Sequence, residues 1–482
     1  MARTATLGRM TAAPSRWGIE PVPAASRTLG LLDNAALWGS LGFSLLLMVT
    51  GAFLTPALGL GQAFLAILIG ATIGSLMLAT AAVIGADSGL PTVALLRAPL
   101  GIRGSYAASL LTLARNVAWG TFALMVMGEA AMGLSRRLGG FEGRPLWIIL
   151  FGALGTAIAL GGPQFMVRQW SKKFAFWFML LAGLMITYTA LAENGIPDLM
   201  RRPGTGGWPS FWQGVDMVVA LPIAWLPLAA DYSRFSRSAR NAFLGTFGGF
   251  FLATVWFTML GVLYVPTVSS SDVVGFILAI PVGALAFLIL LATETDETFA
   301  SVYSASVSLQ NLAPWLNQRR VVLGIGFICT GLALGVAFIH YENFLLLLGS
   351  VFVPLFGILA ADHFLLRRRA NPTDAPHTDG ARFWYRGGVN VAALAVWLLG
   401  FLLYNWISPG SLTWWVDGME SFFNGLLRLP FPLDENVSWL SASIPAFLLS
   451  FILYALVSRL PRSQAAAAER APEPELIAAR ER

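Results

Sequence analysis

Charge is what this sequence has least of. Only 12% of its 482 residues are Asp, Glu, Lys or Arg, against roughly 25% in an average soluble domain, which excludes an ordinary cytosolic enzyme. A single cysteine, Cys329, excludes an intrachain disulfide and with it a bridge-stapled secreted fold; it falls inside an apolar run and reads as a packing residue. The histidines are three, His340, His363 and His377, none in metal-ligand spacing with another, so no His-rich metal cluster is expected. No glycine-rich phosphate loop is visible either, the glycines being scattered through apolar runs as packing or kink residues. The alternating pattern of barrel strands is missing, which excludes a β-barrel. The first 32 residues hold no apolar core followed by a small-residue cleavage site, so the first span is expected to start insertion itself.

What is present is apolar: 56% of the chain is hydrophobic, in blocks of roughly 20 residues, each long enough at ~1.5 Å per residue to cross a ~30 Å hydrocarbon core. Twelve blocks can be drawn, at 33–56, 61–84, 105–133, 145–161, 174–192, 212–230, 242–265, 276–298, 321–339, 341–361, 387–406 and 441–458. The expectation is an all-α membrane protein of twelve transmembrane helices. With both termini cytoplasmic, the inner segments hold 24 basic residues and the outer ones six, a strong positive-inside bias. The same bias accounts for the net charge of +6 by attraction to the anionic cytoplasmic leaflet, without nucleic acid. An integral protein of the plasma (inner) membrane is expected. Residues 1–32 and 459–482 read as cytoplasmic tails and 33–366 as a ten-helix core; 367–386 is a polar cytoplasmic loop and 387–458 an accessory pair of helices.

Charges inside spans are costly and tend to face a cavity or a partner. The eighth block holds Thr293, Glu294, Thr295, Asp296 and Glu297. Three carboxylates within four positions cover most of a helical turn, so at least one points into the bundle. Thr293 and Glu297 are four apart and share a face, offering a hydroxyl and a carboxylate to a small cation or a proton. The plainer alternatives are a misplaced span with the acids in a wet loop, or simple pairing with Arg115.

In the third block Asn116 and Trp119, three apart, put an amide beside a flat indole near mid-span. A planar heterocycle can stack on such a ring while bonding the amide, which suits a nucleobase, although tryptophan is more often packing. Arg115 reads better as an ion-pair partner or vestibule residue than as a ligand. Two spans look broken. The first carries Gly39, Ser40, Gly42 and Ser44; the sixth carries Pro222 and Pro227 around Trp225. Proline removes an internal backbone bond and glycine lets the chain leave helical geometry. Blocks one and six lie five apart, the spacing of two five-helix repeats of opposite topology whose interrupted helices meet at a central site; simple kinks without a site would look alike.

The residues also carry a resemblance. EPVP at 20–23 with Arg27, GADSGLP at 85–91, GIRGSY at 101–106, Trp119, and ADYSRF at 230–235 together resemble the nucleobase:cation symporter family of cytosine, purine, uracil, thiamine and allantoin permeases, over roughly residues 20–370. PIAWLPLAADYSRF in the sixth span and YSASVSLQNL after the eighth are most similar to the hydroxymethylpyrimidine transporter branch, with cytosine permeases next. The resemblance implies an amino-acid-transporter-like fold of two inverted five-helix repeats plus two helices, with alternating access to a central planar substrate. It further implies that Trp119 stacks on the substrate and Asn116 bonds it. A second aromatic from the sixth span closes the sandwich in the family, where this chain has Pro222 with Trp225 three residues on. Family sodium sites use main-chain oxygens of the broken first span, here nearest Gly39 and Gly42, and hydroxyls of the eighth, here Thr293 and Thr295. The acids depart from the more neutral family pattern, so sodium and protons both stand as coupling cation.

The resulting expectation is a cation-coupled symporter, without cofactor, that imports a nucleobase-like solute, Asp296 or Glu297 accepting its exocyclic amine. The rivals are a membrane-embedded enzyme using the buried acids, a channel, or a purine or allantoin permease of the same family. The sequence leaves the oligomeric state open.

Overall fold

The computed structural model of the chain describes residues 18–193, 203–264, 283–335, 341–366, 385–410, 412–431 and 440–459. Its principal elements are α1 (Leu31–Gly42), α2 (Leu45–Leu54), α3 (Leu60–Ser88), α4 (Ser105–Gly139), α5 (Arg144–Gly161), α6 (Phe176–Glu193) and α7 (Phe211–Ile223). They continue with α8 (Ala229–Ser233), α9 (Ala239–Tyr264), α10 (Gly283–Leu312), α11 (Gln318–Gly335), α12 (Tyr341–Ala360), α13 (Val391–Ile407) and α14 (Ser443–Val457). No β-sheet occurs among the described residues, only one isolated parallel bridge between Leu29 and Ser236. Among the described residues seven helical segments are long and apolar enough to cross a membrane, eight when the bent pair α1 and α2 counts as one span. The three carboxylates between 294 and 297 make α10 less apolar than these.

Both expected breaks are present. Between α1 and α2 the axis bends by 59°, and the Ser44 side chain caps the new helix by accepting from Leu46 N at 3.2 Å, one of the donors a fresh helix start leaves orphaned. In the sixth span α7 ends at Ile223, a single tight turn covers Leu226–Leu228, and α8 resumes the course. Pro222 and Pro227 each remove a ladder donor, which is why this span does not run through.

Small residues set the crossings, because lipid gives apolar helices no reason of its own to associate and close backbone approach must supply it. A Cβ on Gly51 of α2 would lie 1.9 Å from the carbonyl oxygen of Thr258 on α9, and one on Gly261 would lie 2.0 Å from that of Met48. On α3, Gly70 faces Val215 and Val218, and Gly74 faces Pro222 of α7. The first span is thereby held against α9, and the sixth against α3. On the other side α4 and α10 pack along their lengths.

The N-terminal segment is stitched across one end of this bundle. Val22 N donates to Gly89 O at 2.9 Å and Leu29 N to Phe235 O at 2.9 Å. Arg27 donates to the carbonyls of Val22, Ala86 and Ser88. Gly89, at φ 71°, ends α3 in the left-handed region, where glycine is the residue without steric cost. The buried Arg234 donates to Gly18 O and to the Tyr303 hydroxyl, each at 2.8 Å. Asp231 accepts from Thr92 N at 3.0 Å. The motifs at 20–23, 85–91 and 230–235 are therefore one hydrogen-bonded junction.

Candidate functional site

The two breaks converge on one buried cluster of aromatic and ionisable side chains. Trp225 stands on the turn that interrupts the sixth span. Its ring centroid lies 5.9 Å from that of Trp119 on α4, at an interplanar angle of 69°, and 6.3 Å from that of Trp38 on α1. Phe344 of α12 adds a tilted ring 6.2 Å from Trp119. All three tryptophans are at most 1% exposed.

The polar groups come from α4 and α10. Trp119 Nε1 donates to Glu297 Oε2 at 3.1 Å. Arg115, one helical turn before Trp119, lies over both indoles, its guanidinium carbon 4.8 Å from the Trp119 ring and 5.2 Å from that of Trp225. Its Nη1 donates to Asn116 Oδ1 at 2.7 Å. Asn116 Nδ2 is buried with no hydrogen-bond partner among the described residues, an orphan donor at the edge of the cluster. Such groups are uncommon, since an unmade bond in a dry site costs about 1–3 kcal/mol.

Of the expected site residues, the structure thus joins Trp119, Asn116, Trp225 and Glu297. Asp296 faces elsewhere, accepting from Ser171 at 3.4 Å on the stretch that leads into α6. Pro222 packs on Gly74 of α3, so the aromatic neighbour of Trp119 in the sixth span is Trp225. Thr295 is buried on α10, whereas the side chain of Thr293 lies outside the described residues. At the first break, Ser44 donates to Glu294 Oε2 at 3.5 Å, so the broken span and the acidic turn touch. Gly39 and Gly42 lie just before that contact, packed on Phe176 and on Ala253 respectively. Cys329 is a buried packing residue. Trp38, Phe344, Ser44 and Arg115 also belong to the cluster, although their place in the sequence does not by itself mark them as site residues. The four-residue spacing of Arg115 and Trp119 on one helix face was the available signal for the last. Among the described residues no three His, Cys, Asp or Glu side chains converge as a metal site.

A buried cluster of indoles, one guanidinium, one carboxylate and one amide, midway along helices and flanked by two interrupted spans, suits a solute carrier. Comparison with known proteins agrees. The chain belongs to the family of permeases for cytosine/purines, uracil, thiamine and allantoin, whose model matches residues 21–425, and it is a transporter, not an enzyme. A hydantoin permease of Microbacterium maritypicum is 26% identical over 454 residues, covering 89% of each chain. The cytosine permease of Escherichia coli (strain K12) is 25% identical over 406 residues, covering 82% of this chain and 92% of that one. Among solved structures, Mhp1, a nucleobase-cation-symport-1 family transporter, in a closed conformation with bromovinylhydantoin bound, superposes with a TM-score of 0.75 at 22% identity, covering 95% of this chain and 96% of that one. Its inward-facing conformation gives 0.70 at 21% identity, covering 96% and 99%. These likenesses establish the fold.

Proposed function

We propose that the chain is a cation-coupled symporter of the plasma (inner) membrane, with both termini cytoplasmic, importing an amine-bearing pyrimidine of the hydroxymethylpyrimidine or cytosine kind. The observation that carries the reading is the buried Trp119 bonded to Glu297, beside the unpartnered amide nitrogen of Asn116 and within ring contact of Trp225. An indole face takes a flat ring, a carboxylate accepts from an exocyclic amine, and the free amide N–H donates to a ring nitrogen or carbonyl. An oxo-pyrimidine has no donor at the amine position and leaves the carboxylate facing an oxygen, so the pair discriminates between the two.

Ion coupling is assigned to the contact between the first break and α10. The cation, sodium or a proton, binds among the main-chain oxygens near Gly39 and Gly42 and the hydroxyls of Ser44, Thr293 and Thr295. Glu294 and Asp296 supply negative charge in the same turn. Its binding ties the broken first span to α10 and orders the face that carries Glu297. The solute then stacks on Trp119, and joint occupancy favours closure and inward opening as one helix group rocks against the other. This reading assigns twelve spans, two inverted five-helix repeats in the core at 33–366 and an accessory pair at 387–458, and its support is the spacing of the breaks together with the fold likeness. The test is uptake into proteoliposomes of radiolabelled cytosine and hydroxymethylpyrimidine under imposed sodium or proton gradients. Uphill accumulation that Trp119→Ala abolishes supports the assignment; normal accumulation by that variant removes it.

A further inference from the structure

The slot beside Trp119 is not open: it holds a side chain of the protein. Two parallel rings sandwiching a flat solute stand roughly 7 Å apart, twice a ~3.5 Å van der Waals contact. Here the Trp119 and Trp225 centroids are 5.9 Å apart and the rings are 69° from parallel. The group that bridges their faces is the Arg115 guanidinium, within cation–π reach of both. It is flat, carries N–H donors in its plane, and gives one of them to Asn116 Oδ1. A planar solute with an amine presents the same features.

We infer that Arg115 is a further specificity-determining residue of the site: its guanidinium occupies the stacking slot between Trp119 and Trp225 and must be displaced by the solute. This rests on the function proposed above. Displacement leaves Asn116 Oδ1 without the donor that Arg115 gives it, so a solute that returns an N–H there competes best, and one with that nitrogen blocked competes poorly. Trp225, on the interrupted stretch of the sixth span, is the wall that turns to admit the solute, whereas Trp119 is fixed by its bond to Glu297. The slot admits solute only in the fraction of molecules that Arg115 has vacated, and apparent affinity falls by that fraction.

The experiment uses full-length wild type, Arg115→Ala and Arg115→Lys in detergent, with cytosine, its N4,N4-dimethyl analogue and methylguanidinium as probes, read by calorimetry and thermal shift. Emptying the slot is expected to raise cytosine affinity about tenfold in Arg115→Ala, as when the competing group holds ~90% of molecules, and to narrow the gap between cytosine and the dimethyl analogue. Millimolar methylguanidinium should stabilise Arg115→Ala and compete with cytosine there, and do neither in wild type. Arg115→Lys, which keeps the charge but not the flat fork, should fold and bind cytosine with an affinity above that of wild type; it carries the test if the alanine variant does not fold. Weaker cytosine binding in the variants, restored by methylguanidinium, would make Arg115 a ligand of the solute and overturn the inference. Failure of methylguanidinium to stabilise Arg115→Ala overturns it as well. Should cytosine bind none of the three proteins while methylguanidinium still stabilises Arg115→Ala, the proposed substrate is wrong and the occupied slot stands.

Discussion

The indole nitrogen of Trp119 donates to Oε2 of Glu297 across 3.1 Å, so the group assigned to stacking and the group assigned to the amine hold each other. The bond fixes the ring and spends one carboxylate oxygen, leaving the other for a solute. It also separates two variants that stability alone would not. Trp119→Phe keeps a stacking face but frees Glu297, and should retain binding with relaxed choice between amino- and oxo-pyrimidines. Trp119→Ala should lose binding altogether. Calorimetry with cytosine and uracil on purified variants reads both.

Glu297→Gln keeps an acceptor and removes the charge. A hydrogen bond to a charged group contributes about 1.5–3 kcal/mol against about 0.5–1.5 for a neutral one, so cytosine affinity should fall roughly tenfold while uracil affinity changes little. Equal losses for both solutes would mean that Glu297 orients Trp119 and does not meet the amine.

Gly51 and Gly261 test how the first span is held. Each lies where a methyl group would overlap a backbone oxygen of the facing helix, Thr258 and Met48 respectively, and backbone cannot give way as a side chain does. Gly51→Ala and Gly261→Ala should each destabilise by about 1–3 kcal/mol or more. Gly248 on the same α9 has nothing within 4 Å of an added Cβ, so Gly248→Ala should be neutral. Thermal unfolding of the three variants in detergent makes the comparison.

Much of this was legible in the sequence, for a physical reason. Block length reports the thickness of the hydrocarbon, and glycine and proline report where a helix cannot continue, so a helix overlaps each drawn block among the described residues, with ends that differ by several residues, and both breaks fall where Gly42 to Ser44 and Pro222 to Pro227 put them. What could not be read is which way each helix turns. Helices apolar all round carry no periodicity to mark the inner face, so the choice of Trp225 over Pro222 as neighbour of Trp119, and of Ser171 as partner of Asp296, had to come from packing. The cluster residue Trp38 was hidden likewise, because one tryptophan in an apolar run looks like any other. The chain ends, the 367–384 loop and the stretch at 265–282 lie outside the described residues.

Asp216 ties the start of α14 to α7 and should show it on removal. This buried carboxylate of α7 accepts from the Ser441 hydroxyl at 2.7 Å, from Ala442 N at 2.5 Å and from Ser443 N at 3.2 Å, supplying the cap that the start of α14 otherwise lacks. At the far end of α14, the Tyr454 hydroxyl donates to Asp362 beyond α12 at 2.9 Å. Asp216→Ala strands two amides and a hydroxyl in a dry site and should cost about 2 kcal/mol or more; Asp216→Asn, which keeps one acceptor oxygen, should cost less. Tyr454→Phe removes the other anchor, and the two losses should add, since the sites lie at opposite ends of one helix and share no partner. Thermal unfolding of the single and double variants decides the point, a double variant no worse than the worse single one meaning that α14 detaches as soon as either anchor goes.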